Sequence, residues 1–368
     1  MRDSLATLGM TNRLEVIANA AQLTELLTKI APTQRVAIDT EADSLHCYRE
    51  KLCLLQVSLP RAEDFVIDPL AKIDLAPLCR ALGDKEIVLQ GADFDLRLLR
   101  RSLNFVPKNI FDTVIAARLV GIREFSLAAL VKKFFNVELT KGSQKANWAQ
   151  RPLPGRMLEY AVNDTHYLLP LAENLEVELK RLNRAEWFEQ SCERALSLSL
   201  IDRERDSEEA WRISGAGALR GLAAAILREL WNWREKEAEA ADRPPFHILQ
   251  NSQLLEAAMG FANGGAPDYK HFSPGRRRSF REAGERGLRL SEEDWPVARR
   301  RTGTRPTPKV LRRTEELKLG RDRAARELDL EPSFIASRST IEAIAADEAR
   351  AESLLIPWQR VLLNGRAT

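Results

Sequence analysis

Arg35-Val36-Ala37-Ile38-Asp39-Thr40-Glu41 is an apolar run that ends in two carboxylates separated by one residue. The run is long enough for a buried strand. Side chains alternate along a strand, so Asp39 and Glu41 leave the same face, as two ligands of a hard divalent cation must. Taken alone the pair says little, because a chain with 53 acidic residues among 368 contains many acid-x-acid triplets, and a solvated strand end leaves the same trace. Two downstream segments change its weight.

The first runs from Glu86 to Leu99. Four residues around Val88 read as a short strand, Gly91 breaks it, and Phe94, Leu98 and Leu99 then recur at helical spacing. A carboxylate therefore opens a helix just past a strand end. Asp93 and Asp95 are both candidates, and an N-cap role would account for one of them without chemistry. The second segment runs from Met157 to Leu169, where helical spacing leads up to Pro170. Tyr160 and Asp164 are four residues apart and share one helix face, the spacing of a site pair and of an ordinary surface hydrogen bond alike.

In order and spacing, the triplet at 39–41, the aspartate at 95 and Tyr160-x-x-x-Asp164 resemble the DEDD superfamily of 3′→5′ exonucleases in its tyrosine subgroup. The flanks Lys51–Ser58, Phe111-Asp112-Thr113, Ala116–Leu119 and Gln144–Trp148 with Arg151-Pro152-Leu153 are similar to the ribonuclease D family rather than to polymerase proofreading domains. Asn147 stands where that family usually has Asp, and Gln90 where His is common. Neither is a ligand in the family pattern. The resemblance implies that Asp39, Glu41, Asp95, Tyr160 and Asp164 form the catalytic set. It makes Asp39 the bridging ligand of two Mg²⁺ or Mn²⁺ ions, with Glu41 and Asp164 completing one ion's ligands and Asp95 holding the other. Tyr160 would orient the attacking water. It also selects Asp95 over Asp93 and leaves Asp93 for capping.

Composition bounds the rest. The chain is 44% hydrophobic and 30% charged, which suits two or three globular domains. Cys47, Cys53, Cys79 and Cys192 form no CxxC pair, which argues against a zinc site or a disulfide framework and for a reducing, cytoplasmic setting. No leader-like segment or membrane-length apolar run is apparent. The net charge of +3 announces no partner, but its distribution is uneven. Arg299, Arg300, Arg301, Arg305, Lys309, Arg312 and Arg313 form one basic stretch, and Arg276, Arg277, Arg278 and Arg281 a smaller one. Such stretches neutralise phosphates or serve as solvated linkers, and both readings stand.

A helix within 12–31, strands near 35–40, 51–58 and 64–68, then alternating strands and helices predict a mixed sheet with helices on its faces. This is the α/β ribonuclease-H-like arrangement that the family implies, with a single helix expected over 156–180. Beyond about residue 200 the period is helical, and the tail matches itself at an offset of 87: Arg234, Asp242, Pro245, Ile248 and Ala258 correspond to Arg321, Asp329, Pro332, Ile335 and Ala345. The repeated unit resembles the HRDC domain. The expected organisation is a nuclease domain at 1–205, an HRDC domain at 206–285 and a second, divergent all-α helical copy at 286–368. Trp211, Trp231 and Trp233 read as core rather than as base-stacking platforms.

The resemblance implies a 3′→5′ exoribonuclease that releases nucleoside 5′-monophosphates and acts on transfer RNA precursors and structured RNA 3′ ends, with no membrane and no obligate protein partner. A DNA 3′→5′ exonuclease with the same carboxylates is the alternative. An inactive nucleic-acid-binding scaffold is a third, disfavoured because all five site residues are present. The helical half is expected to bind RNA without contributing to the chemistry, so that a chain ending near Arg205 would still cleave short strands.

Overall fold

The computed structural model describes residues 16–139, 142, 145–201, 209–265, 267–297 and 306–364. Its first part is built from β1 (Val16–Ile17), α1 (Ala20–Ile30), β2 (Arg35–Ala42), β3 (Leu52–Leu59), β4 (Glu63–Ile67), α2 (Ala76–Leu82), β5 (Glu86–Leu89), α3 (Asp93–Leu103), β6 (Asn109–Asp112), α4 (Thr113–Leu119), α5 (Leu127–Phe135), α6 (Gly155–His166), α7 (Leu168–Arg181) and α8 (Ala185–Ser199). The strands form one mixed sheet in the order β1-β4-β3-β2-β5-β6. β2, β3 and β4 are antiparallel neighbours, as their short connections predict, while β5 runs parallel to β2 and β6 parallel to β5. β3 is buried at all eight positions, which fits its near-continuous apolar sequence and a sheet covered on both faces.

The predicted helix over 156–180 is two helices that meet at Tyr167, whose backbone N–H turns back to Thr165. Pro170 explains the break. It sits in the first turn of α7, where its missing N–H has no helical partner to lose, and it could not sit in the interior of one continuous helix.

The helical tail consists of α9 (Gly221–Ala240), α10 (Pro245–Ile248), α11 (Asn251–Ala262) and α12 (Pro274–Arg289), followed by α13 (Pro308–Glu327), α14 (Pro332–Ile335), α15 (Arg338–Ala346), α16 (Ala351–Leu354) and α17 (Pro357–Leu363). The repeat is structural. α9 and α13 are both 20 residues long and start 87 positions apart. Arg234 Nη1 donates to the Leu249 carbonyl at 3.1 Å, and Arg321 Nη1 to the Ala336 carbonyl at 2.9 Å. Asp242 and Asp329, at equivalent positions, both take left-handed backbone angles, with φ of 43° and 51°.

The compact units do not follow chain order. Among the described residues, one unit draws on 16–42, 51–201 and 306–364, and the other on 43–50 and 209–297. In the second unit the first repeat closes its own core, with Trp211 and Trp233 at 3% and 4% exposure beside Leu230, Phe261 and Phe280. Those two tryptophans are therefore interior. Tyr48, from the connection between β2 and β3, belongs to this unit and donates its hydroxyl to Glu235 at 3.3 Å.

In the first unit, the second repeat shares the nuclease core. Ala324, Leu330, Ile335, Trp358 and Leu362 cluster with Leu119, Phe111 and Leu175, and Trp358 stacks on Trp187 at 5.3 Å. Buried Arg184 donates to the carbonyls of Leu119 and Leu328, and Arg118 pairs with Glu331 at 3.1 Å. A chain ending near Arg205 would lose this part of its core, so the expectation that it would still cleave needs correction. Most of the larger basic stretch, 298–305, lies outside the described residues. Among the described residues no helix is long and apolar enough to cross a membrane.

Candidate metal and catalytic site

The site forms where the sheet changes character. β2 pairs with β5 only from Arg35 to Ala37, so Asp39 and Glu41 lie beyond the end of β5, at the place where a helix can abut the strand. Crevices of this kind, past strand ends at a switch in strand order, are where α/β sheets gather functional groups. Gly91, at φ +75°, makes the turn out of β5 into α3, a conformation that glycine adopts without steric cost. Asp112 then anchors two helix starts at once. Its carboxylate accepts from the N–H groups of Gly91 (3.1 Å) and Ala92 (2.8 Å), and from those of Val114 (2.8 Å) and Ile115 (3.4 Å). The orphan donors that begin α3 and α4 are thereby tied to one buried anion.

This anchoring separates the neighbouring acids of α3. Asp95 is 6% exposed and accepts a hydrogen bond from the Thr40 hydroxyl. Asp93 faces outward and pairs with Arg97. Asp93 is also not the cap expected of it: the N-cap position is Ala92, and Asp112 supplies the acceptor.

α6 lies over the same face and delivers Tyr160 and Asp164, whose side chains are hydrogen-bonded to each other. Tyr160 is held by its surroundings. The Trp148 ring is 6.1 Å away, and a Cβ on Gly142 would stand 2.8 Å from the tyrosine ring, so only glycine fits there. Arg151 secures the preceding loop by gripping both oxygens of Asp68 at 2.6 Å and the carbonyl of Cys53 at 2.8 Å. The two departures from the family pattern have local jobs. Gln90 donates to the Phe125 carbonyl at 2.9 Å, and Asn147 accepts from the Ala149 N–H at 3.1 Å.

Oxygens of Asp39, Glu41 and Asp164 all lie within 4.8 Å of one another. Burial holds Asp39 well above the usual carboxylate range, reinforced by Asp95, Asp164 and Glu41. Burial, then Asp164 and Asp95, pushes Glu41 up to about 9. Asp164 rises to about 7 by burial despite the hydrogen bond from Tyr160. Asp95 rises to about 6 for the same reason, with Thr40 opposing. Four carboxylates so placed cannot all ionise unless a cation joins them. The set consists of hard oxygen donors, which fits Mg²⁺ or Mn²⁺ and not a soft metal.

A family model described as a 3′-5′ exonuclease matches residues 14–180, and an HRDC domain model matches 223–259. The chain is 29% identical to a ribonuclease D of Sphingobium indicum over 94% of this chain and 91% of that protein. The chain is a homologue of ribonuclease D. A ribonuclease D of Haemophilus influenzae is 28% identical over 94% and 90% of the two chains. The fold agrees with the crystal structure of Escherichia coli RNase D, at a TM-score of 0.69 and 22% identity, covering 94% of this chain and 92% of that one. The HRDC match falls on the first repeat, from α9 into α11. Thr40 and Asp112 stood within the motifs and flanks read from the sequence, but nothing in their spacing signalled the roles they have here.

Proposed function

We propose that this 3′→5′ exoribonuclease removes nucleoside 5′-monophosphates one at a time from RNA ends at the Asp39, Glu41, Asp95, Tyr160 and Asp164 cluster. The observation that carries this reading is the approach of three half-buried carboxylates to within 4.8 Å of one another. Two Mg²⁺ or Mn²⁺ ions bound there would activate water and neutralise the charge that develops on the phosphorus and on the leaving 3′ oxygen. Asp39, raised electrostatically by all three other acids, would hold the ions together with Glu41 and Asp164, and Asp95 would add a ligand from the first turn of α3. Tyr160, fixed between Trp148 and Gly142, presents its hydroxyl beside Asp164 to orient the attacking water.

The E. coli relative is described as an exoribonuclease involved in structured RNA processing. We extend that substrate class to this chain, with transfer RNA precursors included. None of the four cysteines is joined in a disulfide, in keeping with a reducing cytoplasmic setting. RNA contact by the first repeat would fall to its exposed arginines, Arg278 and Arg281, because Arg276 and Arg277 are engaged with Glu237 and Asp268. The opposite sign prevails at a cavity of about 670 Å³ in the same unit, where Glu229, Glu235, Glu237, Glu239 and Glu282 would repel phosphate.

The test is parallel digestion of matched 3′-extended RNA and DNA oligonucleotides with Mg²⁺, with Mn²⁺ and with chelator. Metal-dependent release of 5′-monophosphates from RNA supports the proposal. Preferential cleavage of DNA would replace it with the alternative, and the absence of metal dependence would refute it.

A further inference from the structure

Gln56 poses a problem that its described surroundings do not solve. It lies in the middle of β3 with 0% exposure, and among the described residues neither its Nε2 nor its Oε1 has a hydrogen-bond partner. A carboxamide brings two donors and two lone pairs, and burying them unpaired is costly where an apolar side chain of similar size would not be. Leu54, Leu55 and Val57 are enclosed equally well along the same strand. Packing alone therefore gives no reason for an amide.

Its neighbours supply one. Gln56 is the cross-strand partner of Asp39 on β2 and of Val66 on β4, so its side chain leaves the sheet on the face of Asp39. The polar groups farther along this face are satisfied. Ser58 Oγ bonds to Thr165 at 2.7 Å and to Asp64 at 2.6 Å, and Asp64 also meets His166 Nδ1 at 2.6 Å. One turn before Thr165 on α6 stands Ala161, fully buried, whose methyl side chain offers no hydrogen-bond partner.

We propose that Gln56 is a positioning residue for Asp39: its carboxamide N–H donates to the Asp39 carboxylate when a divalent cation is bound, fixing the orientation that this carboxylate presents to the metal. The inference rests on the metal reading given above. A neutral donor suits this position, because a lysine or arginine there would repel the ions that Asp39 has to attract.

The experiment compares the full chain with Gln56→Leu and Gln56→Met in three measurements: melting in chelator, Mn²⁺ titration by calorimetry, and turnover of a short RNA. In chelator both variants should melt at or above the wild-type temperature, because an unpaired amide has been removed. Mn²⁺ affinity should fall by about 10- to 100-fold, the range for loss of a group that orients a ligand. kcat should fall while KM changes little. Wild-type Mn²⁺ affinity and kcat in both variants would overturn the proposal, as would failure of both to fold in chelator, which would make the amide structural. Absence of Mn²⁺ uptake by the wild-type chain would instead refute the metal reading and this inference with it.

Discussion

The nuclease unit contains two groupings of partly buried charge that are handled in opposite ways. At the end of β2, Asp39, Glu41, Asp95 and Asp164 crowd together, no basic partner stands among their hydrogen bonds and ion pairs with the described residues, and their carboxyls are held above the usual carboxylate range. Where the second repeat meets the nuclease core, Arg184 donates to two carbonyls and Arg118 is matched by Glu331. The first grouping costs folding energy and has the donor set that a divalent cation would complete. The second is complete in itself. Unbalanced charge is the arrangement our proposal assigns to function, and balanced charge the one that belongs to architecture.

The largest test removes the balanced grouping altogether. A chain ending at Arg305 should lose cooperative melting or melt lower by on the order of 10 °C or more, because Trp358, Leu330 and Ile335 leave the shared core. Trp358→Ala should cost about 3–5 kcal/mol by itself. Calorimetry decides, and a truncated chain that melts like the full one would show that the second repeat is dispensable.

Asp39→Asn attacks the unbalanced grouping and should separate stability from activity. Turnover should fall by well over ~100-fold, more than the loss of a group that only orients a metal ligand. The metal-free protein should melt higher, because one of four mutually repelling acids is gone. A variant that is both inactive and less stable would mean that Asp39 is structural. Tyr160→Phe should reduce kcat on the order of 10²-fold, the lower range for a single positioned hydrogen-bonding group, with KM nearly unchanged. Rapid-quench kinetics on a short RNA check this, and an unaltered kcat would make Tyr160 a packing residue.

The same contrast predicts a pH dependence. Asp95, Asp164 and Glu41 titrate near 6, 7 and 9 when folded, above their unfolded values. The folded state therefore binds more protons than the unfolded one over that interval, and stability without metal should fall as pH rises from about 5 to 9. Mg²⁺ should flatten the decline and release protons on binding. Melting curves with and without chelator check the slope, and a stability that rises with pH in chelator would contradict it. The smallest effect belongs to the exposed rim of the repeat interface. Removing the Arg123–Asp329 pair, 2.7 Å apart and open to solvent, should cost ~0–1 kcal/mol, and a double-mutant cycle would expose a larger coupling.

The parts of this protein that depend on short-range periodicity were open to sequence reasoning. Strand alternation put Asp39 and Glu41 on one face, helical spacing put Tyr160 beside Asp164, and the 87-residue offset proved to be a repeated backbone with the same Arg234 and Arg321 hydrogen bonds. Local chemistry also left ambiguities. Asp93 and Asp95 look equivalent as a pair of acids opening a helix, and only the orientation of α3, set by Asp112 from a different strand, buries one and exposes the other. The break between α6 and α7 was masked because apolar spacing continues across it.

Other features had no local signature. The two repeats share their pattern of turns and apolar positions. One closes over itself through the 16 residues of α12, whereas the other, with the short α16 and α17 after α15, completes its core against the nuclease. An apolar helix face records that it must be covered but not by what, since the hydrophobic effect has no direction and no memory of sequence distance. The same holds for Thr40 reaching Asp95 and for Gln56 opposite Asp39. A hydroxyl and an amide acquire a role from what strand pairing and helix packing set beside them, and those neighbours lie tens of residues away along the chain.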